Sequence, residues 1–410
     1  MRRVRLDRAV SEGATLAHEV IGPGGEIIAR TGYTLTQRTA DALVARGVTW
    51  CFAEDAASAG AVIAPLDGGA GAVRAVLKSL WTRIADASTT FASMPTARAI
   101  EAMRRAQPTA AIRWSAAFTV LPEAAADIVS RAATIDARGG YVTARQSAAD
   151  ENGHALGVAA LTSRIATLIG LESAEVVEAT TAALLHDIGL VLVPATVRRA
   201  APATWTAPER RRYEDHAVLG AALLAPLAEP SLHLSIVAGE HHEAQDGTGY
   251  PGRVTGGNRV LRTAEERRDA ARIALLSEIV AVADHYERLL SPSPGYAGRS
   301  AAAARAILEA EAGTTLNREI VTRFLGTFPV LPLGTEVSMQ DGPQEGAYGV
   351  VCSVPVHEGA APRVRLIADP DGRPIAPVEV NVKRESVRLV PVDDTVAATA
   401  STSTEALTRR

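Results

Sequence analysis

The residues best suited to chemistry gather in His241-His242-Glu243-Ala244-Gln245-Asp246-Gly247-Thr248-Gly249-Tyr250-Pro251. Two adjacent imidazoles and two carboxylates run there into a glycine-rich turn that ends on an aromatic ring and a proline. Neighbouring residues on any element point in different directions, so core packing rarely explains adjacent histidines. A centre with more than one metal ion can use both. Matching groups occur upstream and downstream: Asp150 and His154, the pair His186-Asp187, His216, and Asp284. The set His154, His186, Asp187, His216, His241, His242 and Asp284, with Asp150 added, holds five of the chain's nine histidines. Imidazole and carboxylate without thiolate suit iron, manganese or zinc. Seven or eight ligands exceed the needs of one ion and suffice for two or three that share a bridging carboxylate. Close metal ions activate a water and clamp the oxygens of an in-line phosphoryl displacement. The chemistry expected is therefore phosphoester hydrolysis.

Helices must position these groups. Asp150, His154, Val158, Leu161, Ile165 and Leu168 recur at steps of three and four, which puts a carboxylate and an imidazole on an apolar helix face. Glu175–Leu185 forms a second helix that ends on His186-Asp187-Ile188-Gly189. Pro194 and Thr206-Ala207-Pro208-Glu209 indicate a loop and a new helix start, and that helix carries His216. His233 lies early in the helix leading to His241-His242 and matches no ligand spacing, so it is read as structural. Gly252–Arg272 is a polar stretch read as a solvated loop. Ile273–Leu290 is a helix with Asp284 on its apolar stripe, where a carboxylate must be paired or bound to a cation. His285 is rotated away from that stripe. Taken singly, each of these residues reads as a helix cap or a satisfied core group; their number and order favour a shared site.

The flanking sequence divides by composition. Residues 1–58 read as a small αβ module, with strands at Ala14–Val20, Glu26–Ala29 and Val48–Phe52 and a helix over Thr36–Arg46 that Gly47 ends. Residues 59–145 comprise a linker centred on Ala57–Val73 and an alanine-rich helical segment broken near Pro95, Pro108 and Pro122. That segment packs on the next domain or makes a homodimer or signalling-partner contact. Residues 146–328 form the helical domain, 329–392 a small β module with strands at Gly349–Val354, Arg363–Ile367 and Val387–Val390, and 393–410 a disordered tail. The expected fold class is mainly α, a helical bundle with αβ and β appendages.

A net charge of −4 with no basic patch argues against a nucleic-acid partner. No apolar run is long enough to span a bilayer, and no signal peptide is legible. Cys51 and Cys352 alone suit a reduced, cytoplasmic chain.

The ordered pattern from about Asp150 to Leu325 resembles the HD-GYP family of HD metal-dependent phosphohydrolases. The resemblance rests on a lone His on the first helix, His186-Asp187-Ile188-Gly189, His216, His241-His242-Glu243, Asp246-Gly247-Thr248-Gly249-Tyr250-Pro251, and Val282-Ala283-Asp284. It implies a helical HD bundle with a bi- or trinuclear iron or manganese centre, acting on cyclic di-GMP to give pGpG or GMP. It also implies that His154, His186, Asp187, His216, His241, His242 and Asp284 are metal ligands. His186 and Asp187 become the catalytic pair, with Asp187 bridging the ions and orienting the attacking hydroxide. Asp150 stands where members with a third metal carry a glutamate. Tyr250, with Gly249 and Pro251, is expected near the substrate.

Two departures stand out. A lysine usually follows His-Asp-Ile-Gly, and here Leu190 does; the family's Arg-Pro-Tyr-Lys stretch is Ser293-Pro294-Gly295-Tyr296. Arg259, Arg262 or Arg272 are the expected compensating cations. A catalytically impaired scaffold protein and an HD hydrolase of another nucleotide phosphate are the alternative readings.

Overall fold

A computed structural model describes residues 2–11, 13–22, 26–54, 71–106, 120–135, 137–139, 141–143, 145, 151–225, 232–267, 269–296, 298–354, 362–382 and 388–392. Asp150, Pro108, residues 57–70 of the expected linker and the expected tail, 393–410, lie outside the described residues.

The body of the chain is helical. Its central helix, Glu151–Leu168, is buried on nearly every side, including Gly153, Gly157 and a run of alanines. Small residues make this possible, because they let neighbouring helices come close. A Cβ placed on Gly157 would lie 3.0 Å from Glu287 Cγ and 3.1 Å from Thr143 Cγ2. Ser173–Leu185 packs alongside, opened by a capping box between Glu172 and Glu175. Leu275–Leu290 crosses the same core, and Val280, Val282, Ala283 and Tyr286 are fully buried on it. One continuous apolar cluster runs from Val73 through these helices to Phe328.

Several expectations are sharpened by packing and capping. Pro95 separates Gly71–Ala92 from a helix over 96–106, whereas Pro122 sits in the first turn of Leu121–Ala132 and starts that helix. A proline costs nothing there, since the first N–H groups have no helical acceptor. His216 does not lie within the helix begun at Thr206. Ala207–Glu214 ends at Asp215, and His216 opens a separate helix, His216–Leu224.

Both appendages are antiparallel sheets. At the N-terminus the strand order is Arg2–Arg5, Trp50–Glu54, Thr15–Leu16, with Arg2 opposite Ala53 and Arg5 opposite Trp50. The strand Arg2–Arg5 was not anticipated, because three of its four residues are arginine and only Val4 is an apolar anchor. At the C-terminus five strands are ordered Leu389–Pro391, Glu336–Met339, Tyr348–Ser353, Arg363–Ala368, Pro374–Asn381. Glu336–Met339 and Pro374–Asn381 also escaped the sequence reading. Pro374–Asn381 carries two prolines and is mostly exposed, as an edge strand tolerates.

The appendages are docked. Arg3 Nη2 donates to the Leu290 carbonyl at 2.5 Å, at the end of the Leu275–Leu290 helix. Phe52 packs with Val142 and Leu333, and Leu333 N–H donates to the Arg138 carbonyl at 2.8 Å. Cys51 is buried, Cys352 is half-buried, and both are free thiols. Among the described residues no helix is long and apolar enough to cross a membrane.

Candidate metal centre

Five helix-borne segments bring the expected ligands together. His154 projects from the first turn of Glu151–Leu168, His186 caps Ser173–Leu185, and Asp187 follows it. His216 opens its own helix, His241-His242 follow Leu232–Glu240, and Asp284 lies inside Leu275–Leu290. Asp187 is common to two groups whose ligand atoms lie within 4.8 Å of one another: His154, His186 and Asp187, and Asp187, His216, His241 and His242. Asp284 Oδ1 adds to the first group, 3.0 Å from His154 Nε2 and 3.5 Å from His186 Nε2.

The imidazoles are oriented by bonds to their far nitrogens. His186 Nδ1 lies 2.7 Å from the Ala183 carbonyl and His216 Nδ1 lies 2.6 Å from the Tyr213 carbonyl. His241 Nδ1 is 3.1 Å from the carbonyls of Val237 and Ala238. A carbonyl accepts only, so each Nδ1 carries its proton there and, in the neutral ring, Nε2 keeps a bare lone pair. These lone pairs point inward. Nε2 of His154, His186 and His242 and Oδ1 of Asp187 are buried without a hydrogen bond, although nitrogen and oxygen atoms lie close by. Converging ring nitrogens and carboxylate oxygens fit a shared cation, and backbone carbonyls fixing the far nitrogen are the usual support of metal-binding histidines. The residues present therefore fit a divalent metal centre.

Electrostatics favour the ligand forms of Asp187, Asp284, His241 and His242. Burial opposes ionisation of Asp187, but His186 and the charge of Arg288 beside it hold it well below the usual carboxylate range. Burial likewise opposes ionisation of Asp284, which the charge of Arg288 and the adjacent His154 and His186 hold low. Burial lowers His241 to about 4 and holds His242 well below the ordinary imidazole value, so both are neutral at pH 7. His154 differs: against its burial and the charge of Arg288, Glu287, Asp187 and Asp284 lift it to about 10.

Other expected site residues fall in distinct places. Tyr250 stacks on His242, with ring centroids 4.7 Å apart and planes at 26°, and so covers the outer ligand. Gly249 serves the backbone. A Cβ there would sit 2.3 Å from Ala244 N and 2.5 Å from His242 O. Pro251 is exposed. The turn is held by Glu243, whose carboxylate accepts the N–H groups of Gly252, Arg253 and Val254. Beside the centre opens a cavity whose lining includes His154, Asp187, Leu190, Tyr213, Arg288 and Ser293. The departures at Leu190 and Ser293 thus face the same cavity as the ligands.

The expected compensation does not occur where the sequence placed it. Arg259 pairs with Glu266, Arg262 with the buried Glu278, and Arg272 with Asp269. None of the three lines the cavity. His233 pairs with Glu178 on the surface, and His285 pairs with Glu311 at 2.9 Å.

Arg288 and Glu287 were missed. Arg288 Nε donates to both oxygens of Asp284 at 2.8 and 2.9 Å, and Nη2 to Asp187 Oδ2 at 2.8 Å. Glu287 lies 2.5 Å from His154 Nδ1 and accepts from Arg145 at 3.1 Å. Both follow Asp284 by three and four residues, the spacing of one helix face, so the signal was present.

Comparison with known proteins finds a family match and several relatives. The HD domain family matches residues 110–261. A cyclic di-GMP phosphodiesterase of Pseudomonas aeruginosa is 30% identical over 213 residues, covering 52% of this chain and 47% of the relative. A 3'3'-cGAMP-specific phosphodiesterase of Vibrio cholerae is 31% identical over 180 residues, 44% of this chain and 36% of its own length. A cyclic di-GMP phosphodiesterase of Thermotoga maritima is 31% identical over 166 residues, 40% of this chain and 41% of its own length. The chain thus spans less than half the length of these relatives. Residues 110–261 thus match the HD domain family, and up to about half of the chain is similar to cyclic dinucleotide phosphodiesterases.

Proposed function

We propose that this protein is a metal-dependent phosphodiesterase that hydrolyses cyclic di-GMP to pGpG or GMP. The observation that carries the reading is Asp187, whose two oxygens face different histidine sets. Oδ1 is 3.2 and 3.4 Å from His216 and His241, and Oδ2 is 3.4 and 3.5 Å from His154 and His186. Two ions, iron or manganese, would be held by His154, His186, Asp187 and Asp284 on one side and Asp187, His216, His241 and His242 on the other. A third would need Asp150. Bound there, such ions supply an activated water and charge for the phosphoryl oxygens. The protein's part is orientation: backbone carbonyls aim three imidazoles, and Arg288 keeps Asp187 and Asp284 ionised.

The relatives' substrates support a cyclic dinucleotide, and one of them is named for 3'3'-cGAMP, so both nucleotides belong in the assay. Manganese- or iron-loaded protein should release pGpG or GMP from cyclic di-GMP, and His186→Ala and Asp187→Ala should lower turnover by about 10²-fold or more. Metal-loaded protein that leaves both nucleotides intact would sink the reading.

A second reading is a scaffold that keeps the centre and has lost turnover. It is favoured by the cavity wall itself, where Leu190 is 6% exposed and Ser293 half-buried. Nucleotide binding without product release would support it.

A further inference from the structure

The cavity wall at Leu190 and Ser293 carries no charge, but Arg288 lines the same cavity. Its side chain is 33% exposed, while the carboxylates it contacts, Asp187 and Asp284, are 2% and 5% exposed. The guanidinium therefore forms the solvent-facing cover of the buried acids.

Its donors are unequally used. A guanidinium has five N–H groups in a planar fork. The edge formed by Nε and one Nη2 hydrogen is spent on Asp284 and Asp187. The opposite edge, Nη1 with the second Nη2 hydrogen, has one contact among the described residues, a long 3.5 Å approach of Nη1 to Tyr213 Oη. An edge of two parallel N–H groups matches two oxygens of a phosphate. A carboxylate oxygen has two lone pairs, so accepting from Arg288 leaves Asp187 and Asp284 able to hold a cation as well.

Of the wall's other arginines, Arg299 lies over the Tyr296 ring at 5.9 Å, and Arg145 and Arg198 are committed. Arg145 donates to Glu287 at 3.1 Å, and Arg198 pairs with Glu151 and donates to the Val193 carbonyl. Arg288 alone among these three presents a largely unspent edge next to Asp187.

We propose that Arg288 is a substrate-binding residue: its outer edge grips the non-bridging oxygens of the phosphate presented to Asp187. It does so from the cavity that Leu190 and Ser293 leave without charge. The inference rests on the phosphodiesterase reading for the identity of the substrate, but not for the phosphate contact itself. It also assigns this chain a phosphate anchor on the same helix as Asp284, four residues on, so that one element fixes a metal-site carboxylate and the phosphate together.

The test separates anchor from mere support of the carboxylates. Methyl phosphate binding to manganese-loaded protein is measured by calorimetry for the natural chain, Arg288→Gln and Arg288→Lys, with metal content per chain determined on the same samples. The expected result is about tenfold or greater weakening per metal-loaded chain in Arg288→Gln, with partial recovery in Arg288→Lys. Unchanged affinity per metal-loaded chain, or a loss that only tracks lost metal, overturns the proposal, as does a natural chain that binds no methyl phosphate. Arg288→Lys keeps the charge if Arg288→Gln fails to fold. Cyclic di-GMP turnover, assayed separately, tells failure of the phosphodiesterase reading from failure of the anchor.

Discussion

His216 Nε2 and His241 Nε2 face each other at 3.3 Å, each with its Nδ1 against a backbone carbonyl. Rings so fixed turn two acceptor-type nitrogens toward each other, and burial removes the water that would relieve them. Closing this pair around a cation is what makes it favourable. A divalent metal should therefore stabilise the fold by mass action, by about 2.7 kcal/mol at a hundredfold excess over Kd. Calorimetry with manganese, and then with chelator, should show the unfolding temperature rise and fall. In His216→Ala the rise should shrink clearly. An equal rise in that variant would remove His216 from the ligand set.

Gly189 sets the distance between Asp187 and His216. A Cβ on Gly189 would lie 2.0 Å from the His216 carbonyl oxygen and 2.6 Å from Gly220 N. Neither is a flexible side-chain end, so the His216–Leu224 helix must move away. Gly189→Ala should cost about 1–3 kcal/mol or more, as overpacking of a tight core does. It should also lower metal content, because the displaced helix carries His216. Denaturant midpoints and metal analysis of one preparation check both, and a variant of natural stability and metal content would refute the packing argument.

Much of this was legible because helical periodicity is a long-range regularity read locally. The stripes at His154 and Asp284 are visible in one dimension, and both helices lie within a residue or two of where the pattern puts them. The strand Arg2–Arg5 was not legible, since its register opposite Trp50–Ala53 is decided about 50 residues away in sequence. The same limit hid Arg288. Its contact with Asp187 spans 101 positions, and an arginine on an exposed-looking helix turn has a solvated reading until the partner helix is in place. Arg262 failed as a candidate for the converse reason. It looked like a free loop cation and is instead tied up by a buried carboxylate.

That carboxylate, Glu278, is the clasp of the loop carrying Tyr250. It accepts from Gln245 at 2.9 Å, from Asn317 at 2.7 Å and from Arg262, and is 2% exposed. Gln245 in turn accepts from Asn258 N–H at 2.9 Å. Removing one partner of a buried ion pair leaves the other uncompensated, at about 3–5 kcal/mol. Glu278→Ala should reach that range in urea unfolding, and Glu278→Gln, which keeps part of the network, should cost less. Equal losses in the two variants would show that the charge, rather than the bonded network, holds the loop.

Arg3 links the N-terminal sheet to the helix of Asp284. Its guanidinium donates to the Leu290 carbonyl and approaches the Arg299 carbonyl at 3.5 Å, while its Cζ lies 4.6 Å over the Trp50 ring. A cation suits the end of Leu275–Leu290, where carbonyls gather and the helix dipole is negative. Arg299 lines the cavity, so Arg3 also reaches the segment between Leu290 and the cavity wall. Arg3→Met keeps the contact with Trp50 and removes the donors, at about 1.5–3 kcal/mol for a charged hydrogen bond. The expected outcome is a lower unfolding temperature together with faster proteolysis between the N-terminal sheet and the helical body. Natural proteolysis in Arg3→Met would mean that Phe52, packed on Val142 and Leu333, holds the module without the arginine.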